Sequence, residues 1–195
     1  MSTTVYTIGH STRTLEEFIC LLQVHGIRLL ADIRSYPASR RMPWFQGPQF
    51  PPFMPEDEAR RHEALETTLP EAGFGYIWMR ALGGRRRQLR DDSPNAALHS
   101  PAFRNYADYM LTAEFRDAVA QLVDMAATIP TCVMCAEAQV YYHCHRMLLS
   151  DYLVVQDHQV LHISNRSQPK PHRITPEARV EHEQLIYPAE PLLFG

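Results

Sequence analysis

The chain has 195 residues, 45% hydrophobic and 21% charged, with a formal charge of −3. This length and composition suit a globular domain able to bury a core, and the near-neutral balance gives no global attraction to nucleic acid or anionic membranes. No apolar run approaches the length of a membrane span, which excludes a helical membrane protein.

The first strand is expected over Val5–Ile8, leading into Gly9-His10-Ser11-Thr12. Thr14 and Glu17 have capping-box spacing, and Leu15, Phe18, Ile19 and Leu22 share one face of the helix that follows. Gly26 is placed to end that helix as a C′ glycine. A second strand covers Ile27–Ile33 and closes on Asp32-Ile33-Arg34-Ser35. Residues 36–55, rich in proline and aromatics, read as an ordered loop, and Glu56–Glu66 as a polar surface helix. Gly75–Met79 gives a third strand, followed by Arg80-Ala81-Leu82-Gly83-Gly84-Arg85-Arg86-Arg87. Phe103, Tyr106, Ala107 and Met110 stripe one helix, and Phe115, Val119, Leu122 and Ala126 a second. Thr131–Met134 is a fourth strand ending in Cys135-Ala136-Glu137; a helix from about Cys144 to Gln156 and a strand over Gln159–Ile163 complete the pattern. Strands alternating with helices predict one α/β domain, a mostly parallel sheet in a Rossmann-like three-layer arrangement, with a core at about 4–163 and a polar tail over 164–195 wrapping the surface.

Met1–Tyr6 shows neither a basic n-region nor an apolar h-region, so a cytoplasmic protein is expected. Cys20, Cys132, Cys135 and Cys144 are then read as reduced thiols. The eighteen arginines against one lysine, Lys170, match the codon bias of a GC-rich genome and carry no functional weight.

Open α/β sheets bind their ligands at the carboxyl ends of the strands. Those ends carry His10, then Asp32 and Arg34, the Arg80–Arg87 loop, Cys135 and Glu137, and His162. Polar groups are costly to bury without a partner, so their gathering at one edge marks a site. Strand alternation sets Asp32 beside Arg34 and Cys135 beside Glu137. The first pair reads equally as a structural ion pair; the second is harder to explain by packing. In His143-Cys144-His145-Arg146, at a helix start, Cys144 is expected to favour the thiolate through the helix dipole and Arg146. Gly83 and Gly84 before Arg85, Arg86, Arg87 and Arg90 suggest an anion-binding loop. Arg34, Arg40 and Arg41 would extend it into a basic patch, with Tyr36, Trp44 and Phe45 able to stack on bases. The alternative is a solvated arginine loop.

Thr7-Ile8-Gly9-His10-Ser11, Leu30-Ala31-Asp32-Ile33-Arg34-Ser35, Leu82-Gly83-Gly84-Arg85, Met134-Cys135-Ala136-Glu137, Cys144-His145-Arg146 and His162-Ile163 together resemble the prokaryotic domain-of-unknown-function family 488. The chain departs from the pattern at Ala138-Gln139-Val140-Tyr141-Tyr142, where many members carry Asp-Pro, and in a longer Gln46–Pro55 segment. The resemblance implies an α/β fold and a shared polar site, and supplies no reaction.

The residues support an enzyme acting on a phosphate-bearing small molecule, a nucleotide or a nucleic-acid fragment. Cys135, Glu137, Cys144, His145, His10 and Asp32 are its catalytic candidates. Ser11, Arg34, Arg40, Gly83, Gly84, Arg85 and Arg146 are its substrate-binding candidates. Two alternatives stand beside it. One is a nucleic-acid-binding module without catalysis. The other is a metal- or redox-responsive module on Cys135 and Cys144. No cofactor is assigned; a transition metal held by Cys135, Cys144, His143, His145 and His10 is an open alternative, although the spacing of the cysteines is not that of a structural zinc site.

Overall fold

The computed structural model describes residues 2–37, 42–45, 65–138 and 144–189. Arg40, Arg41, His143 and most of the helix expected over Glu56–Glu66 lie outside them. Within them run β1 (Thr4–Gly9), α1 (Leu15–Val24), β2 (Leu29–Asp32), α2 (Leu65–Glu71) and β3 (Gly75–Trp78). Then come α3 (Pro101–Met110), α4 (Ala113–Thr128), β4 (Thr131–Cys135), α5 (Arg146–Val155) and β5 (Gln159–Ile163). The last pieces are β6 (Lys170–Pro171), β7 (Arg179–Glu181) and β8 (Gln184–Ile186).

The capping box at α1 forms in both directions: Thr14 accepts from the Glu17 N–H, and the Glu17 carboxylate accepts from the Thr14 N–H. Gly26 follows the helix at φ 66°, a left-handed conformation that suits glycine. The stripes expected on α3 and α4 point inward: Tyr106, Ala107, Met110, Phe115, Val119 and Leu122 are all buried.

The main sheet has the order β3-β2-β4-β1-β5-β6, parallel except for β6. It is a Rossmann-like, three-layer α/β architecture. Alternation along each strand divides its residues between two cores. Ile8, Leu30, Cys132 and Met134 pack with Phe18 and Leu22 of α1 and Leu65 and Leu69 of α2. Val5, Ala31, Val133 and Cys135 pack with Tyr106, Phe115, Leu122 and Leu148 of α3, α4 and α5.

The chain travels one way from β1 to β2 and β3, then back to β4 and on to β5. The connections leaving β2 and β4 therefore diverge, and a crevice opens beyond the carboxyl ends of those neighbours.

The segment after residue 163, read from sequence as a polar tail, adds β6 to the sheet edge, forms the β7–β8 hairpin and buries His172 and Tyr187. A buried polar chain ties it down. Thr7 Oγ1 lies 2.7 Å from His162 Nδ1, His162 Nε2 lies 2.8 Å from His172 Nδ1, and His172 Nε2 lies 2.7 Å from Asp151 Oδ1. In the direction that keeps both rings neutral, Thr7 donates to His162, His162 to His172, and His172 to Asp151. The Thr175 N–H and the Tyr187 hydroxyl also donate to Asp151, each at 2.9 Å.

Burial, then His172 and then the charge of Arg146 lower the pKa of His162 to about 3. The unfolded chain, with a histidine pKa near 6.5, binds that proton more readily. Stability held at neutral pH is therefore lost as pH falls from about 6.5 toward 3, at up to about 1.4 kcal/mol per pH unit from this residue. Urea unfolding at pH 7.5, 5.5 and 4.5 is expected to show that decline, with a shallower slope in His162→Gln. Equal slopes in the two proteins would remove His162 as its source.

Candidate active site: a buried thiol pair beside an ion-pair hub

The loops after β1 and β4 are stitched together by backbone hydrogen bonds. The His10 N–H donates to the Cys135 carbonyl at 3.0 Å and the Ser11 N–H to the Ala136 carbonyl at 2.9 Å. Gly9 permits this approach, since a Cβ there would sit 1.7 Å from the Glu137 carbonyl oxygen. Ser11 turns the chain with φ 51°. Arg13 then reaches back, donating to the Gly9 carbonyl and, at 2.8 Å, to that of Ser164.

On the α1 side of the sheet lies an ion-pair hub. Asp32 is fully buried and accepts from Arg34 Nε at 2.9 Å, Arg34 Nη2 at 2.6 Å, the Arg34 N–H at 3.0 Å and the Tyr76 hydroxyl at 2.9 Å. Arg34 Nη1 donates to the Phe45 carbonyl at 2.7 Å and lies 3.4 Å from His10 Nε2. His10 stacks on Phe45 at 4.4 Å, and its Nδ1 is 3.1 Å from the Ser11 carbonyl. Burial first, then Arg34, lower the pKa of His10 to about 4, so it is neutral at pH 7. Every nitrogen of the Arg34 guanidinium has a protein partner here, so Asp32 and Arg34 form a structural pair more readily than a catalytic acid and an anion clamp.

On the α5 side lies the thiol pair. Cys135 ends β4, Cys144 precedes α5, and their Sγ atoms are 2.8 Å apart with both thiols free. Their pKa values move in opposite directions. Burial raises that of Cys135, but the hydrogen bond from Cys144, the charge of Arg146 and the Glu137 backbone outweigh it and lower it overall. The Cys144 thiol is pushed well up, first by its hydrogen bond to Cys135 and then by burial. The sequence expectation of a lowered thiol pKa at Cys144 is thus reversed in direction: it is Cys135 whose pKa is lowered and Cys144 whose pKa is raised.

Arg146 is the counter-charge. It is 1% exposed, and its Nη2 donates to the Glu137 carbonyl at 3.1 Å. Its Nε and Nη1 are buried with no hydrogen-bond partner among the described residues. Its charge lowers the pKa of Cys132, Cys135 and Cys144 alike, opposing the effect of burial.

Other candidates take different places. Glu137, expected as a buried carboxylate, is exposed, and its carbonyl is what meets Arg146. His145 stacks on Phe103 at 4.6 Å and sits 3.2 Å from the Ala102 carbonyl, with its pKa lowered by burial. Gly84 makes room for that ring, since a Cβ there would lie 2.4 Å from it. Gly83 similarly clears Ser35, whose hydroxyl accepts from the Arg85 N–H at 2.8 Å. These glycines therefore bring loops together. Arg86 donates to the Gly83, Arg80 and Ala81 carbonyls and lies over Tyr109, and Arg90 pairs with Asp92. Arg85 and Arg87 are exposed. Sequence reasoning missed Tyr76, although it pairs with Leu30 and so shares the face of Asp32. It also missed Arg13, for which the Gly9-to-Arg13 turn carried the only signal. Among the described residues no group of three or more His, Cys, Asp or Glu side chains is arranged to hold a metal ion.

Fold and site define a three-layer α/β protein with a dithiol and a buried guanidinium at the carboxyl edge of its sheet. Residues 55–153 match the family described as Domain of unknown function DUF488, and the chain belongs to that family. Comparison with characterised proteins and with solved structures gave no match. No helix among the described residues is long and apolar enough to cross a membrane.

Two substitutions separate the roles of these groups. Gly9→Ala is expected to destabilise the protein by about 3 kcal/mol, the upper end of overpacking costs, because backbone on both sides blocks relaxation. Asp32→Ala leaves Arg34 buried without its carboxylate, at a cost of about 3–5 kcal/mol. Chemical denaturation measures both. An Asp32→Ala protein of undiminished stability would show that the hub is not structural.

Proposed function

We propose that the protein is an enzyme that uses the Cys135 thiolate as a nucleophile on an anionic substrate, of the class of phosphate-bearing small molecules, nucleotides or nucleic-acid fragments. The observation that carries this reading is the Arg146 guanidinium, buried beside the thiol pair with Nε and Nη1 unpartnered among the described residues. A buried charge with unused donors is costly unless an anion completes it. Cys135, its pKa lowered by its hydrogen bond with Cys144 and by Arg146, is the group that can answer this charge as its thiolate, and an oxyanion of the substrate would meet the planar donors left over. Cys144, which holds its proton against Cys135 at 2.8 Å, is the acid that can protonate a leaving group. His10 and Asp32 act as positioning residues, because the hub fixes the loop whose N–H groups bind the β4 carbonyls.

Nucleic-acid binding without catalysis draws less support. Arg34, Arg86 and Arg90 spend their guanidinium groups on protein partners, which leaves Arg80, Arg85 and Arg87 as the other exposed arginines of that region among the described residues.

Alkylation kinetics test the assignment. Iodoacetate, being anionic, is expected to modify Cys135 roughly tenfold faster relative to iodoacetamide than it modifies a free thiol. Inorganic phosphate should slow the reaction, and Arg146→Gln should abolish both effects. Mass spectrometry assigns the labelled cysteine. No preference for the anionic reagent and no protection by phosphate would sink the reading.

A further inference from the structure

We propose that Cys135 and Cys144 form a redox-active dithiol that reduces a small hydroperoxide, with Cys135 as the attacking thiolate and Cys144 as the resolving thiol. This rests on the same Cys135 nucleophile as the reading above, and adds an electrophile and a second role for Cys144.

Three observations converge on it. First, the two Sγ atoms are 2.8 Å apart, and a disulfide needs about 2.05 Å. Closure therefore needs a sulfur displacement of under about 1 Å, and it crosses a span of nine residues between the end of β4 and the start of α5. Second, Cys135 and Cys144 are only 8% and 4% exposed. A co-reactant must therefore present a small reacting end to them. A hydroperoxide does so. Third, the unpartnered Nε and Nη1 of Arg146 can receive the negative charge that develops on the departing oxygen.

The step balances without any further group. The Cys135 thiolate attacks the terminal oxygen of ROOH. The S–O bond forms as the O–O bond breaks, leaving Cys135 as a sulfenic acid and releasing RO⁻. The Cys144 thiol gives its proton to RO⁻, yielding ROH and a Cys144 thiolate. That thiolate attacks the Cys135 sulfur, forming the disulfide and expelling hydroxide, which a solvent proton converts to water. Two electrons have passed from the dithiol to the peroxide. Two equivalents of an external thiol, or one dithiol, return the pair to its reduced state by exchange.

The other cysteines serve as controls within the same molecule. Cys132 is fully buried, with its thiol pushed up by burial. Cys20 is half-buried on α1 with no sulfur partner among the described residues.

The test uses the reduced full chain and hydrogen peroxide, with dithiothreitol as the regenerating dithiol. Peptide mapping of the oxidised wild type is expected to show a Cys135–Cys144 cross-link with the loss of two hydrogen atoms. It should form at least about tenfold faster than oxidation of Cys20. Cys144→Ser should stop at the sulfenic acid, trapped as a dimedone adduct on Cys135, and Cys135→Ser should lose the fast phase. Wild-type mapping needs no variant, so a misfolded substitution does not blunt the test. A cross-link no faster than Cys20 oxidation, an adduct on Cys144, or oxidation of Cys135 without the link would overturn the proposal. If peroxide reacts slowly while the iodoacetate preference survives, the redox inference falls alone. If Cys135 responds to neither reagent, both readings fall.

Discussion

A guanidinium placed inside the molecule with no carboxylate bonded to it among the described residues sets the terms for the rest of this structure. Arg146 is 1% exposed, and its one hydrogen bond among the described residues is to a backbone carbonyl. A charge in that position must be balanced, or it costs several kcal/mol. The groups close enough to answer it are thiols. That is why the pKa of Cys135 is lowered although burial opposes it, and why His162, on the same face of the sheet, is driven further toward the neutral form. The asymmetry between the two cysteines follows directly. Two thiolates in one buried space would repel, so the influences that lower the pKa of one thiol raise that of the other.

The pleat of the strands keeps this chemistry separate from its scaffold. Asp32 and Arg34 belong to the face of α1 and α2, whereas Cys135, Cys144 and Arg146 belong to the face of α3, α4 and α5. The hub satisfies its own charges, and so it can be buried at little risk. Its contribution to the thiol site passes through the backbone, by way of the loop after β1. There the His10 and Ser11 N–H groups hold the Cys135 and Ala136 carbonyls and Gly9 lets the strands close. The Asp151–His172–His162–Thr7 chain does comparable work at the other end of α5. It anchors the C-terminal segment to β1 and β5, two strands of the same central group.

Periodicity made the fold legible. The capping box at Thr14, the stripes on α3 and α4 and the bounds of β5 all rest on local rules, and local rules survive folding. The strand ends also named the right neighbourhood, because parallel topology sends them all to one edge. What the sequence could not show is which face each end turns to, or who shares a proton with whom. Glu137 follows Cys135 by two positions, but the strand stops at Cys135, so alternation no longer governs its direction. The pairing of Asp151 with His172 joins groups 21 residues apart across a turn of the chain, and no spacing rule announces it. β6, β7 and β8 escaped for a related reason. They are two or three residues long and mostly exposed, so the period-2 signal has no length in which to appear.

Arginine environment separates the basic residues of this chain more sharply than arginine content does. Arg86, in the run that reads most strongly as an anion loop, is consumed by three carbonyls and a tyrosine ring. Arg146, a single residue in a Cys-His-Arg string, is the arginine whose buried donors are left over among the described residues. The distinction is energetic. An exposed guanidinium is already satisfied by water and gains little from an anion, whereas a buried one with open donors gains the full difference between an unmet and a met charge. Selection among basic residues by unmet donors points to the thiol pair and away from the glycine-rich loop. It also singles out the edge where Cys135 and Cys144 lie 2.8 Å apart and Arg146 meets the Glu137 carbonyl, at the crevice where the chain reverses its direction across the sheet.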